Sequence, residues 1–280
     1  MWLNNPMTSI KISYQQVEQQ LVATELAAAL GLEIIDPSEL TRSSKLAHKA
    51  ESSAGYFLEV SSDGIALVPF TRKAHGPIIC DFASSANSHR RKYGGGNGQA
   101  IAKAVGLSGK FQPKVLDLTA GLGGDAFVLA SLGCQIQLIE RNPIVHCLLA
   151  DGLQRAGYSG NEDRELADIV ARMDLIEGDS IHYLEHLNTQ QLPDIIYLDP
   201  MFPERKKSAK VKKEMQAFHG IVGGDEDAAE LLDLALQRAQ YRVVVKRSAS
   251  AGYLGNKTPS YSLEGKSTRF DIFALQKLPG

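Results

Sequence analysis

Ile195-Ile196-Tyr197-Leu198-Asp199-Pro200-Met201-Phe202 is the stretch on which the reading of this chain turns. Four apolar or aromatic residues run into a carboxylate, a proline and an aromatic. A short apolar run bounded by turn residues predicts a strand buried on both faces, the kind found in parallel sheets. An earlier stretch has the same form. Val115-Leu116-Asp117-Leu118 runs into the glycine turn Gly121-Leu122-Gly123-Gly124-Asp125. In open parallel sheets, functional groups gather beyond the carboxyl ends of strands, at the point where strand order reverses. If these two strands are neighbours, both turns face one crevice.

Around them the pattern is regular β-α alternation, which predicts an α/β domain with a parallel sheet and helices on both faces. Strands are expected at Val115–Leu118, Gln135–Ile139, Asp174–Glu177, Ile195–Leu198 and Arg242–Val245, with a closing pair at Ser260–Leu263 and Arg269–Leu275. Helices are expected over Gln99–Val105, Asp125–Ser131, Pro143–Ala156 and Asp225–Ala239, the proline tolerated in a first turn. Upstream, Val17–Leu30 reads as a helix with Val17, Leu21, Leu26 and Leu30 at helical spacing and Gly31 as its stop. Tyr56–Val60 and Gly64–Pro69 flank a hairpin signal, and Ile78–Phe82 is a further strand candidate. These divide the chain into a leader at residues 1–9, a small α+β N-terminal domain at 10–85 and a larger domain at 86–280.

Composition sets outer limits. The 280 residues carry a net charge of −2, with 44% hydrophobic and 22% charged residues, ordinary for a globular chain with a sizeable core. The whole molecule is not a polyanion binder, so any nucleic-acid contact must come from a local basic patch. No apolar run approaches a membrane span, and no signal-peptide pattern opens the chain. Cys80, Cys134 and Cys147 have no metal-like spacing and are odd in number, which predicts reduced thiols and a cytoplasmic setting. The seven histidines show no metal-ligand spacing either, and neither a metal nor a covalent intermediate is expected.

The glycine turn lets backbone approach a ligand without a Cβ in the way, though a plain tight connection would use the same glycines. Nicotinamide, flavin and adenosylmethionine sites all share it. Glu140, at the end of the second strand, can accept from ribose hydroxyls, with Arg141 beside it. Asp179-Ser180 ends the third strand, where an acceptor can meet an adenine amine. Asp125 heads the helix where a pyrophosphate would need to sit, which favours a ligand carrying an ammonium group, such as S-adenosylmethionine.

Asp199 and the turn it opens suit a different task. The exocyclic amine of a nucleobase is a poor nucleophile because its lone pair is delocalised. A carboxylate and a neighbouring backbone carbonyl accepting from that amine would orient it and stabilise charge during attack. Pro200 fixes the turn, and Phe202 can stack on an extruded base. The bland alternative is a strand end with Phe202 packed in the core. Next comes Arg205-Lys206-Lys207-Ser208-Ala209-Lys210-Val211-Lys212-Lys213, six basic residues in nine. A charge run is usually a solvated face. Abutting the proposed base pocket, it reads as a phosphate-gripping rim, joined by the basic segment at Arg90, Arg91 and Lys92.

The chain resembles the ribosomal RNA small subunit methyltransferase J family. The resemblance is carried by His89-Arg90-Arg91-Lys92-Tyr93-Gly94-Gly95-Gly96, Asp117-Leu118-Thr119-Ala120-Gly121-Leu122-Gly123, Glu140-Arg141-Asn142-Pro143, Tyr197-Leu198-Asp199-Pro200-Met201-Phe202-Pro203 and Val243-Val244-Val245-Lys246-Arg247. It implies a Rossmann-like class I methyltransferase fold with a mostly parallel seven-stranded sheet, S-adenosylmethionine as cofactor, and methyl transfer to a guanine N2 in 16S ribosomal RNA or the 30S subunit. It also implies cofactor contacts at Gly124-Asp125, Glu140-Arg141, Asp179-Ser180 and Asp199. In the family the residue before Asp125 is often arginine, so at Gly124 only a backbone contact carries over. Two other readings stand beside it at this point: a nicotinamide-dependent oxidoreductase, sharing the glycine turn and Glu140, and a non-catalytic RNA-binding module.

Overall fold

A computed structural model of the chain describes residues 10–40, 55–70, 76–84, 96–200 and 224–279. The described residues up to Cys80 form one unit and those from Asp81 onward form another.

The first unit holds β1 (Lys11–Tyr14), α1 (Gln20–Leu30), β2 (Glu33–Ile34), β3 (Tyr56–Ser61), β4 (Gly64–Pro69) and β5 (Ile78–Ile79). They make a sheet in the order β2-β1-β3-β4-β5. The expected hairpin is the β3–β4 pair, with Ser61 opposite Gly64. The expected helix begins as a 3₁₀ turn at Val17–Gln19 and ends where Gly31 takes a left-handed conformation, φ 64°. Its buried face differs from the expected one. Ala23 and Ala27, one turn apart, are buried, whereas Val17 and Leu21 are 73% and 69% exposed. Small residues let the helix backbone approach its sheet; Val17 and Leu21 face outward, while the other two expected positions, Leu26 and Leu30, are half-buried. The strand expected over Ile78–Phe82 stops at Ile79. Strand β1 was not among the expected strands; it pairs parallel to both β2 and β3.

The second unit continues with α2 (Ala100–Val105), β6 (Lys114–Asp117), α3 (Gly124–Ser131), β7 (Gln135–Glu140), α4 (Pro143–Tyr158), α5 (Arg164–Val170), β8 (Met173–Glu177) and α6 (Ser180–His186). It closes with β9 (Ile195–Leu198), α7 (Ala228–Arg238), β10 (Arg242–Ser248), β11 (Tyr261–Glu264) and β12 (Thr268–Ala274). The seven strands form one sheet in the order β11-β12-β10-β9-β6-β7-β8. It is parallel from β10 to β8, and β12 runs antiparallel to both β10 and β11.

Chain order runs outward from β6 through β7 to β8, then returns to β9 on the other side. The order therefore reverses between β6 and β9, which pair in register at Val115↔Ile195, Leu116↔Ile196 and Asp117↔Tyr197. All four residues of β9 are buried, as a central parallel strand requires. A core cluster joins Leu116, Ile196, Leu198, Val243 and Val245 of the sheet to Leu184 of α6 and Leu231, Leu232 and Ala235 of α7.

Two helices of this unit were not anticipated. Both open on an aspartate N-cap: Asp163 accepts from the Leu166 N–H, and Asp179 from the His182 N–H. Helix α7 is shorter than expected, starting at Ala228 rather than Asp225, which leaves Asp225 and Asp227 on the approach to its first turn. Among the described residues no helix is long and apolar enough to cross a membrane.

Candidate active site

The glycine turn and the Asp199 turn meet at the β6–β9 reversal. Leu118 N–H donates to the Tyr197 carbonyl at 3.1 Å, extending the ladder one step beyond β6. The Asp199 N–H then donates to Thr119 Oγ1 at 2.7 Å. Thr119 in turn donates to Asp117 Oδ1 through its N–H at 3.0 Å and its hydroxyl at 3.3 Å. A single threonine thus ties the two turns together.

Gly121 and Gly123 both have left-handed backbones, φ 56° and 70°, which a side chain would strain. A Cβ on Gly123 would also lie 2.9 Å from Leu149 Cδ1. At Gly124 a Cβ would meet nothing within 4 Å, so the helix start faces open space. Glu140 fixes the turn from the next strand. Its Oε2 accepts the Gly121 N–H at 2.8 Å and its Oε1 accepts the Asn142 N–H at 2.8 Å. Each oxygen of this buried carboxylate has one lone pair beyond those bonds. Asn142 caps α4 by accepting from the Ile144 and Val145 N–H groups, with Pro143 in the first turn.

Beyond β9, Lys246 carries the charge balance. Its Nζ donates to Asp125 Oδ2 at 2.6 Å and to Asp199 Oδ2 at 2.7 Å. The buried Tyr197 hydroxyl also donates to Asp125 Oδ2, at 2.7 Å. The Asp199 side chain is 40% exposed, so it is reachable while anchored. On the other flank Arg141 pairs with Asp225 and, at 2.7 Å, with Asp227, gripping the approach to α7. Ser180 is buried, and its hydroxyl donates to the Leu118 carbonyl at 2.6 Å. Asp179 Oδ1 is occupied as the α6 cap.

Burial raises the Asp117 carboxyl to about 7; the Thr119 N–H opposes this, and the charges of Asp125 and Asp199 reinforce it. Burial also raises Glu140, against the N–H groups of Asn142 and Gly121 and the Arg141 guanidinium. It raises Asp199 too, with the Lys246 ammonium pulling the other way. Lys246 itself is raised: burial works against its charge, but Asp199 and Asp125 outweigh that. The crevice thus gathers Asp117, Asp125, Glu140, Asp179 and Asp199 around two cations, Lys246 and Arg141. Such an excess of acceptors suits a ligand bearing positive charge, hydroxyls and amines, and repels a pyrophosphate.

Of the expected site residues, Gly121, Gly123, Gly124, Asp125, Glu140, Arg141, Asp179, Ser180, Asp199 and Pro200 fall together along these strand ends. Phe202, Arg90, Arg91, Lys92, Lys206, Lys207 and Lys210 lie outside the described residues. No signal in the sequence placed Thr119 or Lys246 in the crevice, and Asp225 and Asp227 read there only as the acidic first turn of a helix. Lys246 follows three valines at the end of a buried run, but its two carboxylate partners come from other elements of the chain. The unanticipated helix α6 also brings His182, Glu185 and His186 together, their ligand atoms within 4.8 Å of one another. All three are exposed, and His182 and His186 stand at an i, i+4 spacing that the sequence reading passed over; the His182 N–H donates to Asp179 Oδ1.

The SAM-dependent methyltransferase family model matches residues 39–275. The chain is 57% identical to the ribosomal RNA small subunit methyltransferase J of Cellvibrio japonicus over 225 residues, 80% of this chain and 85% of that one. It is 46% identical to the Marinobacter nauticus protein of the same name over 271 residues, 96% of this chain and 93% of that one. Its fold matches the crystal structure of a SAM-dependent methyltransferase from Neisseria gonorrhoeae with a TM-score of 0.68 and 36% identity, covering 94% and 95% of the two chains. With its glycine turn, strand-end carboxylates and Asp-Pro turn at one sheet reversal, the chain belongs to the ribosomal RNA small subunit methyltransferase J family of S-adenosylmethionine-dependent methyltransferases.

Proposed function

We propose that this protein transfers a methyl group from S-adenosylmethionine to the exocyclic N2 of a guanosine in 16S ribosomal RNA, as naked RNA or within the 30S subunit. The supporting observation is the placement of Asp199 beside the cofactor crevice, half-exposed yet held by Lys246 and by the Thr119 hydroxyl. Relatives named for small-subunit ribosomal RNA point to the substrate class.

The crevice fits the cofactor by the chemistry of its acceptors. Glu140 has lone pairs for the ribose hydroxyls, Asp179 has Oδ2 for an amine, and Gly124-Asp125 offers backbone and carboxylate beside open space. When bound, S-adenosylmethionine supplies an electrophilic methyl on a sulfonium centre. The residues of the chain do the rest. Asp199 accepts from the guanine amine and aims its nitrogen. Transfer would exchange the methyl's bond to sulfur for one to the amine nitrogen, with adenosylhomocysteine leaving, and the Asp199 carboxylate is placed to accept the proton that the nitrogen gives up. Pro200 fixes the turn, and Phe202 stacks on the base. Arg90, Arg91, Lys92, Lys206, Lys207 and Lys210 hold the RNA backbone. The chemistry belongs to the 86–280 domain, and the setting is the cytoplasm.

Asp199→Ala carries the test. Turnover on under-methylated 30S subunits should fall by about 10²-fold or more, while RNA binding stays near wild type. Wild-type turnover in that variant would remove the amine-orienting role.

A further inference from the structure

Lys246 is placed by strand register. β10 and β9 pair parallel with Val245 opposite Leu198, so one further step sets Lys246 beside Asp199. Arg242 to Val245 are buried, and the chain reaches the sheet's carboxyl edge with a lysine. Its ammonium then meets two carboxylates from different elements. Asp125 stands in the first turn of α3, just past the glycine turn, and Asp199 opens the turn after β9. The Tyr197 hydroxyl shares Asp125 Oδ2, so that carboxylate is held from two sides.

We propose that Lys246 is a positioning residue for methyl transfer, holding the cofactor-side Asp125 and the acceptor-side Asp199 on one nitrogen at a fixed separation. The proposal rests on the reading of Asp199 given above. An ammonium suits the task because its three donors diverge from a single atom, allowing two carboxylates to converge without touching. The carboxylates would otherwise repel: Asp199 faces Asp125 from α3 and also feels Asp225 from the approach to α7. Asp117 on β6 feels both Asp125 and Asp199, and Tyr197 adjoins on β9. Among the described residues, Lys246 from β10 pairs with both Asp125 and Asp199, Arg141 pairs with Asp225, and Arg247, next to Lys246, also feels the Asp199 charge. The Lys246 charge also favours the ionised form of Asp199, opposing the burial that raises that carboxyl.

The substitutions Lys246→Met, Lys246→Gln and Lys246→Arg separate this role from plain strand bracing. Each is assayed for turnover on under-methylated 30S subunits across pH, for adenosylhomocysteine binding by calorimetry, and for thermal melting. Lys246→Met should lower kcat by about 10²-fold. The acid limb of its pH–kcat profile should move to higher pH, because Asp199 has lost the charge that favours its ionised form. Lys246→Arg should restore most of kcat and return the limb. Lys246→Gln keeps a donor without the charge and carries the same expectation as Lys246→Met if the methionine variant does not fold. A folded neutral variant with wild-type kcat and an unmoved acid limb overturns the proposal. If Asp199→Ala is itself active, the reading of Asp199 fails instead; if Asp199→Ala is inactive while Lys246→Met is normal, only the role of Lys246 fails.

Discussion

Asp199 and Thr119 are joined by a 2.7 Å hydrogen bond from the Asp199 backbone N–H to the Thr119 hydroxyl, across eighty positions of sequence. The bond makes the Asp199 turn and the glycine turn one structural object. Thr119 passes the connection on to Asp117, so removing its hydroxyl leaves the Asp199 N–H without its acceptor and Asp117 Oδ1 with one donor fewer. Thr119→Val keeps the shape and removes the hydroxyl. It should cost on the order of 1–3 kcal/mol of stability, because a part-buried N–H is left without its acceptor. It should also lower kcat more than it weakens adenosylhomocysteine binding. Chemical denaturation and calorimetry check the two halves.

The glycines of the turn after β6 separate cleanly by geometry. Gly123→Ala meets both a left-handed backbone and the Leu149 methyl 2.9 Å away, so it should lower stability by about 1–3 kcal/mol and weaken cofactor binding. Gly124→Ala places its methyl in open space at an ordinary helix start and should leave the melting temperature within a degree or two, since alanine also favours helix. Melting curves with and without adenosylhomocysteine distinguish them.

Asp117 makes stability depend on pH in an unusual direction. Its carboxyl sits at about 7 in the folded chain against an ordinary 3.8, so the folded state holds a proton that the unfolded state has lost. Its contribution is fully present below about pH 4 and is lost as pH rises toward 7. Asp117→Asn keeps the acceptor for Thr119 and removes the titration. The variant should come close to wild type near pH 4 and exceed it at pH 8, by about 4 kcal/mol at most. Urea unfolding at the two pH values reads the difference, and an equal gap at both would contradict the assignment.

Arg141 holds the approach to α7 through Asp225 and Asp227 while bordering Glu140. Arg141→Ala should leave two carboxylates beside an already acidic crevice. It should cost about 1–3 kcal/mol of stability and weaken adenosylhomocysteine binding through displacement of the Glu140 carboxylate. Arg141→Lys should recover little, because a lysine cannot reproduce the forked pair.

The path from sequence to site was uneven for physical reasons. Ile195–Leu198 and the strands around it were legible because a buried parallel strand must be apolar on both faces and must end where backbone leaves the sheet. The β6–β9 adjacency, argued from their matching turns, is the observed pairing. Helix α1 shows where periodicity misleads: spacing marked Val17 and Leu21, but packing selected Ala23 and Ala27, since close approach rewarded small side chains. Asp179 was read only as a strand-end acceptor, although an aspartate before Ser180 is equally an N-cap signal, and the α6 helix was missed with it. Lys246 was hidden for a different reason. Its meaning comes from the register of β10 against β9 and from Asp125 on a third element, which no local pattern contains.

The central claim is that Asp199 presents a guanine amine of small-subunit RNA to the methyl donor. The direct measurement is transfer of labelled methyl from S-adenosylmethionine to under-methylated 30S subunits, followed by digestion of the 16S RNA to nucleosides. The account predicts label in N2-methylguanosine at one site, abolished by Asp199→Ala. Label in any other nucleoside, or undiminished label in that variant, would contradict it.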